Sequence, residues 1–203
     1  MKPVFNKIFV KIDKKFQDEV ETESGIKFYK DPTFNPEDNS TNFGIVAFIP
    51  ETVDKVNVEE DFIHNVQVGD KLYFNYNVVM DPDNCLVHDG EEYWMVDYWN
   101  AIALVRDGKV EPVGSYILID PIKEEEVKSS IIHIPDAYKA KEKTRGIVWS
   151  SNSPEIPVGS DVEYEKIGKF WNIIEGKRVY CMMNNNVMFI YEKENSQTNK
   201  IDS

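Results

Sequence analysis

The histidines and cysteines are the residues whose side chains most often bind metals or act as nucleophiles. His64, His88 and His133 lie far apart in the chain and share no metal-ligand spacing. Cys85 and Cys181 are equally distant, which fits neither a zinc site nor a disulfide framework. We therefore expect surface histidines, no metal site and no catalytic residue.

Sequence motifs of enzymes are also missing. The stretch Asp81-Pro82-Asp83-Asn84 is superficially like a calcium loop, but the required glycine and final glutamate are absent, which predicts a turn. There is no Gly-x-Ser-x-Gly elbow, phosphate-binding loop or dinucleotide fingerprint. The sequence predicts a protein that is not an enzyme and needs no cofactor.

A short apolar pattern near the N-terminus has the form expected of a binding segment. In an extended chain, side chains at i and i+2 share a face, so Ile26 and Phe28 project together around Lys27. An acidic run at 18–23 precedes this pattern, and a polar, proline-interrupted run at 31–40 comes after it. Such flanks bury little surface, which predicts a mobile loop. Two alternatives remain: these residues are core positions of an ordinary strand, or the flanks are solvated faces of ordered elements.

The same pattern recurs in the second half of the chain. Ile132 and Ile134 alternate around His133, between charged runs at 123–129 and 139–143. This predicts a second mobile loop that presents two apolar side chains, with the same alternatives open.

Composition restricts the partner and the compartment. The 203 residues carry a net charge of −13, which repels nucleic acid phosphates, and no basic stripe offsets it. No apolar run approaches the roughly 18 residues needed to span a bilayer. The first seven residues lack the apolar centre of a secretory signal. We expect a cytoplasmic protein without membrane or nucleic acid partners.

The chain contains an internal repeat. Four blocks recur in the same order: 9–13 as 116–120, 44–46 as 146–148, 68–74 as 158–164, and 92–96 with 101–105 as 178–182 with 187–191. The separation between copies falls from 107 to 102, 90 and 86 residues, as expected if loops were shortened while strands were kept.

Each copy reads as about five short strands separated by glycine, proline, asparagine and aspartate. This pattern predicts an all-β protein made of two small β-barrels in tandem. We place the first domain at residues 1–110, the second at 111–193, and a disordered tail at 194–203.

The repeated unit resembles the GroES family of co-chaperonins over nearly the whole chain. The mobile-loop signature is Ser24-Gly25-Ile26-Lys27-Phe28, and its second version is Ser130-Ile131-Ile132-His133-Ile134-Pro135, without the leading glycine. The closing run Asn100-Ala101-Ile102-Ala103-Leu104-Val105 is a close match. The first copy also has room, between Ala47 and Val68, for the hairpin that roofs the GroES dome.

The resemblance implies a double-headed co-chaperonin, similar to chloroplast or phage-encoded forms. Such a protein caps a GroEL-type chaperonin, which binds the ATP, over an unfolded client, and it forms a homo-oligomeric ring. If phage-encoded, it would act in the host cytoplasm. The alternatives are a structural or adaptor protein, for example in a virus particle, and a small-ligand-binding barrel. The implied chaperonin-binding residues are Gly25, Ile26, Lys27, Phe28, Ile132, His133 and Ile134.

Overall fold

The computed structural model describes residues 2–16, 19–22, 24–29, 39–51, 65–122 and 144–191. These residues form antiparallel sheets, the short α-helix α1 (Asn77–Met80) and short 3-10 helices, so the predicted all-β class is confirmed. This part of the chain contains no helix with the length and hydropathy that a bilayer crossing needs.

The strands up to the middle of the chain are β1 (Lys7–Lys11), β2 (Glu19–Glu21), β3 (Lys27–Tyr29), β4 (Phe43–Phe48), β5 (Lys71–Phe74), β6 (Cys85–His88), β7 (Glu91–Asp97), β8 (Ala101–Arg106) and β9 (Lys109–Pro112). The remaining strands are β10 (Tyr116–Pro121), β11 (Arg145–Ser151), β12 (Asp161–Tyr164), β13 (Phe170–Ile174), β14 (Lys177–Met183) and β15 (Val187–Tyr191).

The two large sheets have the same strand order. The seven-stranded sheet runs β6-β7-β1-β4-β5-β8-β9, and the six-stranded sheet runs β13-β14-β10-β11-β12-β15. We call the first six strands of the larger sheet the first repeat, and the smaller sheet the second repeat. Each ladder runs from one edge strand to another without closing, so a closed barrel stays a prediction. Strand β9 adds to β8 and crosses the predicted domain boundary at 110.

The structural alignment of the first block differs from the one read from the sequence. Phe9 pairs with Met95 of β7, and Leu118 pairs with Cys181 of β14, at the equivalent position of the ladder. The first block and its copy are therefore separated by 109 residues and not by 107. The bulge that comes after Phe9 in one ladder comes after Leu118 in the other. The sequence comparison was wrong by two residues because side chains in a strand alternate with a period of two, so this shift leaves the buried face unchanged.

Three groups of buried residues hold the sheets together. One belongs to the first repeat and includes Leu72 and Tyr98, and another belongs to the second and includes Val162. The third joins the repeats, with Ile102 on one side and Leu118 on the other. Its fully or nearly buried members are Tyr73, Ile102, Ala103, Leu118, Ile174, Val179 and Cys181. The repeats therefore pack directly against each other.

A hydrogen-bonded cluster at the tip of the β13–β14 hairpin also links the repeats. The Glu175 carboxylate accepts hydrogen bonds from Lys71 Nζ at 2.6 Å and from Tyr73 OH at 2.9 Å. The Glu175 backbone N–H donates to Tyr73 OH at 3.1 Å. These donors, Lys71 first, hold the pKa of Glu175 below its ordinary value of 4.5. The carboxylate form therefore favours the packed repeats.

Replacing Glu175 by glutamine is expected to lower the free energy of unfolding by about 0.5–1 kcal/mol at pH 7, because the cluster is partly exposed. A lowered carboxyl pKa contributes stability above the unfolded value of 4.5, and this contribution is lost as the pH falls through the folded value. The difference between wild type and E175Q in urea unfolding should therefore shrink below pH 4.5.

The Lys71→Met variant provides the control, since it removes the first donor to the same carboxylate. The double variant should be little less stable than either single variant if the two residues act as a pair. Strictly additive losses, or a difference that stays constant from pH 7 to pH 3, would contradict the link.

Candidate partner-binding site

The base of the first predicted loop is fixed to the first repeat. Phe16 and Ser40 form an antiparallel bridge. The Thr41 N–H donates to Lys15 O at 3.0 Å, and Thr41 Oγ1 donates to Lys14 O. Ser40 and Thr41 are buried. The connection between β1 and β4 therefore leaves the sheet from a closed, buried base.

A β-hairpin, β2 paired with β3, lies within this connection, and its register places Val20 opposite Phe28. Thr22 organises the tip: its N–H donates to Ile26 O at 2.9 Å, and its Oγ1 accepts from Ile26 N–H at 3.1 Å. Gly25 has a φ of 81°, a conformation that glycine adopts without steric cost, and its N–H donates to Thr22 O at 2.8 Å. The sequence predicted an extended mobile loop here, and the structure shows a hairpin with a hydrogen-bonded turn.

The apolar residues of this hairpin are exposed. Ile26 and Phe28 each expose 56% of their surface. Tyr29, which the sequence pattern did not single out, exposes 75%. The exposure excludes the alternative in which Ile26 and Phe28 are core positions. Tyr29 was missed because the i, i+2 pattern ends at Phe28. The signal that could have indicated it is the pair of adjacent aromatic residues, Phe28 and Tyr29.

The hairpin stands apart from the large sheets in its hydrogen bonding. Strands β2 and β3 pair with each other and, among the described strands, with no other. Its turn residues Ser24, Gly25 and Lys27 are exposed as well as Ile26. Ile26 and Phe28 share a face of this hairpin, so these two side chains can enter a groove on another molecule without disturbing the core of the repeat.

No family model matches this chain, and no curated protein matches it.

The second predicted loop lies outside the described residues. Ile132, His133 and Ile134 belong to residues 123–143, for which no structure is given. The described ends of this segment are joined by the Ile122 N–H, which donates to Arg145 O at 3.2 Å. The connection thus leaves from β10 and β11, the equivalents of β1 and β4. Its role stays a prediction, as do the roof hairpin and the tail at 194–203.

The titratable side chains that the structure describes lie at separate places in the fold. Burial raises the pKa of the Cys181 thiol, so it remains protonated and unreactive. His88 lies 3.5 Å from Asp89 at an exposed turn. Within the described ranges, no three His, Cys, Asp or Glu side chains are placed to hold a metal ion. The turn predicted at Asp81 is present, since its carboxylate accepts from Asp83 N–H at 3.0 Å.

A cleft of about 310 Å³ lies between the repeats, where Tyr73 faces Trp171 and Asn172. Trp171 stacks on Tyr180 with ring centroids 3.6 Å apart, and the Arg178 guanidinium lies 4.4 Å from the Trp171 ring. The indole is therefore already in contact with two side chains of its own chain, which reduces the aromatic surface that a small ligand could use. This disfavours the small-ligand alternative.

Proposed function

We propose that this protein is a co-chaperonin that caps a GroEL-type chaperonin ring through apolar hairpins and so helps an enclosed client to fold. The observation that carries the proposal is the exposure of Ile26 and Phe28 on a hairpin within the connection between β1 and β4, whose two ends are joined by the bridge between Phe16 and Ser40. Lys27 and Gly25 complete the contact in the first repeat. Ile132, His133 and Ile134 form its counterpart in the second.

The energetics of such a hairpin suit a cap that must come off. Burying two large apolar side chains is worth roughly 3–6 kcal/mol, at about 1.5–3 kcal/mol each. Ordering a binding segment costs about 2–5 kcal/mol. One contact is therefore weak, and several on one assembly bind tightly together because each raises the effective concentration of the next. Small changes at each contact can then release the whole cap.

The architecture supports the same proposal. Six strands recur in one order in both sheets, and the first predicted loop joins β1 and β4, the same two strands of the repeat that the second joins as β10 and β11. We propose that each repeat is a GroES-like barrel and that the chain carries two potential chaperonin contacts.

A structural or adaptor protein, for example in a virus particle, is the second candidate. The exposed apolar strand β15 favours it, because such an edge is suited to assembly. An adaptor would associate with particles and would not depend on a nucleotide-bound chaperonin.

Capping can be tested with purified full-length protein and a purified GroEL-type ring. We expect the two to elute together in the presence of adenine nucleotide and separately without it. Protease cleavage within residues 17–41 should be fast for the free protein and at least tenfold slower in the complex. Cleavage at equal rates with and without the ring, together with separate elution in every nucleotide state, would contradict the proposed function.

A further inference from the structure

The cleft between the two repeats runs along an open edge of the second sheet. Strand β13 is the first strand of the six-stranded sheet, and its one neighbour among the described strands is β14. Its residues Phe170 to Ile173 line the cleft, and residues of the first repeat form the opposite wall. The Asn42 side chain donates a hydrogen bond to Asn172 Oδ1 and so joins the two walls. The cleft therefore combines a strand edge with polar side chains of both repeats.

The hairpin geometry shows which backbone groups of β13 lie on the open edge. Ile174 and Lys177 flank the two-residue turn and pair with each other, so their N–H and C=O groups are bonded within the hairpin. The bonding side alternates along an antiparallel strand. Asn172 is therefore also bonded to β14, whereas the N–H and C=O groups of Trp171 and Ile173 point to the outer edge. These two residues present backbone donors and acceptors to a ligand.

One cation at the cleft has no carboxylate partner among the described residues. Lys71 and Glu175 pair with each other at 2.6 Å. Arg178 is the remaining charged residue of the lining, and its exposed guanidinium lies 4.4 Å from the centroid of the Trp171 ring. Stacking on a ring restricts a guanidinium while its N–H donors stay available. Such a planar group binds a carboxylate through two parallel hydrogen bonds.

The first repeat shows that the fold does not require this arginine. The aligned blocks of the two repeats place Glu92 at the position of Arg178. Cys85 takes the place of Trp171, because Cys85 pairs with the third residue of the first block and Trp171 with the third residue of its copy. The guanidinium and the ring beside it therefore belong to the second repeat alone, as expected of a binding site.

The charge of the cleft is opposite in sign to that of the chain. The chain carries a net charge of −13, yet the lining holds two cations, Lys71 and Arg178, against the single anion Glu175. Lys169 lines an adjoining space that shares Trp171 with the cleft. The indole of Trp171 already contacts two side chains of its own chain, so polar groups are what the cleft offers a ligand. Charge complementarity favours an anionic partner here.

We propose that this cleft binds an extended, acidic segment of a polypeptide partner. The Arg178 guanidinium donates two hydrogen bonds to a glutamate or aspartate carboxylate of that segment. The backbone groups of Trp171 and Ile173 bond to its backbone, in the manner of a peptide that adds to the edge of a sheet. The volume of about 310 Å³ admits a short stretch of chain. Capping uses the hairpin of the first repeat, so either proposal can fail while the other holds.

Fluorescence anisotropy with three labelled nonapeptides and full-length protein tests the ligand chemistry. The first peptide alternates threonine and glutamate, the second has glutamine in place of glutamate, and the third is the first with every backbone nitrogen methylated. We expect the first to bind at least about tenfold more tightly than the others, which lack the carboxylates or the backbone donors. Equal affinities for the first peptide and either of the others would overturn the inference. So would the absence of binding of the first peptide at about 1 mM.

Substitutions of the arginine test the site. Arg178→Gln should weaken binding of the glutamate peptide at least about tenfold and remove its advantage over the glutamine peptide. Arg178→Lys keeps the charge without the planar donors, so its affinity should lie between. Lys166→Gln is the matched control, since it removes an exposed charge of the same repeat that does not line the cleft. Circular dichroism checks the fold. Equal losses in R178Q and K166Q would indicate general electrostatic attraction and contradict the site.

Hydrogen exchange locates the bound peptide. The N–H groups of Trp171 and Ile173 should exchange at least about tenfold more slowly when the glutamate peptide is bound, because they gain a bonding partner. The N–H group of Asn172 provides the internal control, since it is already bonded to β14 and its exchange should change little. Binding that protects neither Trp171 nor Ile173 would place the peptide elsewhere on the protein and would overturn the inference.

Discussion

Replacing Ile26 and Phe28 together by serine is expected to abolish capping of the chaperonin while the fold stays intact. Both side chains are more than half exposed, so their loss removes little core packing. Each contributes about 1.5–3 kcal/mol when buried in a partner. Loss of both from every copy should lower the apparent affinity by at least about 100-fold, because the contacts act together. Co-elution with the ring and nucleotide provides the measurement, and thermal unfolding checks the fold.

Ile167→Ser is the matched control, since Ile167 is 82% exposed and lies on the second repeat, outside the hairpin. It removes an exposed apolar side chain without touching the predicted contact, so capping should be unchanged. Tyr29→Ser distinguishes the two faces of β3. Tyr29 projects from the face opposite to Phe28, so capping should change little if the face with Ile26 and Phe28 makes the contact. Full capping by the Ile26/Phe28 double variant would show that the contact lies elsewhere.

Gly146→Ala is expected to destabilise the protein by about 3 kcal/mol or more, the largest effect we predict for a single methyl group. A Cβ at this position would lie 2.4 Å from Ile119 Cγ2 and 2.7 Å from Asp120 O. The backbone oxygen cannot move without breaking the β10–β11 ladder. The equivalent Gly44→Ala should behave alike, since its Cβ would lie 2.7 Å from Lys11 O. Urea unfolding followed by tryptophan fluorescence measures both.

Gly108→Ala provides the comparison. Gly108 has a φ of 76°, but nothing lies within 4 Å of an added Cβ, so the cost is the backbone strain alone, about 1 kcal/mol. Because a buried cluster joins the two repeats, Gly44→Ala and Gly146→Ala should each shift a single transition. Equal losses for Gly146→Ala and Gly108→Ala would show that the close approach of the strands is unimportant.

Several features could be predicted from the sequence because they depend on local patterns. Alternation of apolar and polar residues and frequent turn residues are enough to predict an all-β chain. The sequence placed Gly44 and Gly146 at the start of equivalent strands, and in the structure each is the second residue of its strand, β4 or β11. Ile26 and Phe28 were predicted to be binding residues because polar runs flank them. The structure shows both side chains exposed, and the contact itself stays a prediction.

Other features depend on distant parts of the chain. Strands β6 and β13 were missed because each is an edge strand defined by its hairpin partner rather than by its own periodicity. The register of β1 could not be fixed to better than two residues, because only the ladder with β7 distinguishes the two alignments. The bridge between Phe16 and Ser40, which closes the base of the connection between β1 and β4, joins segments that share no pattern.

What the sequence determined by itself is the duplicated β-pattern and the position of the exposed apolar segment, since both depend on neighbouring residues. Only the tertiary structure decided how the two repeats of one chain pack against each other. Burial of Val113 and exposure of Val4 cannot be told from the residues, which are both valine. The difference is the strand beside each: β8 lies next to Val113, and among the described strands of one chain no equivalent lies next to Val4.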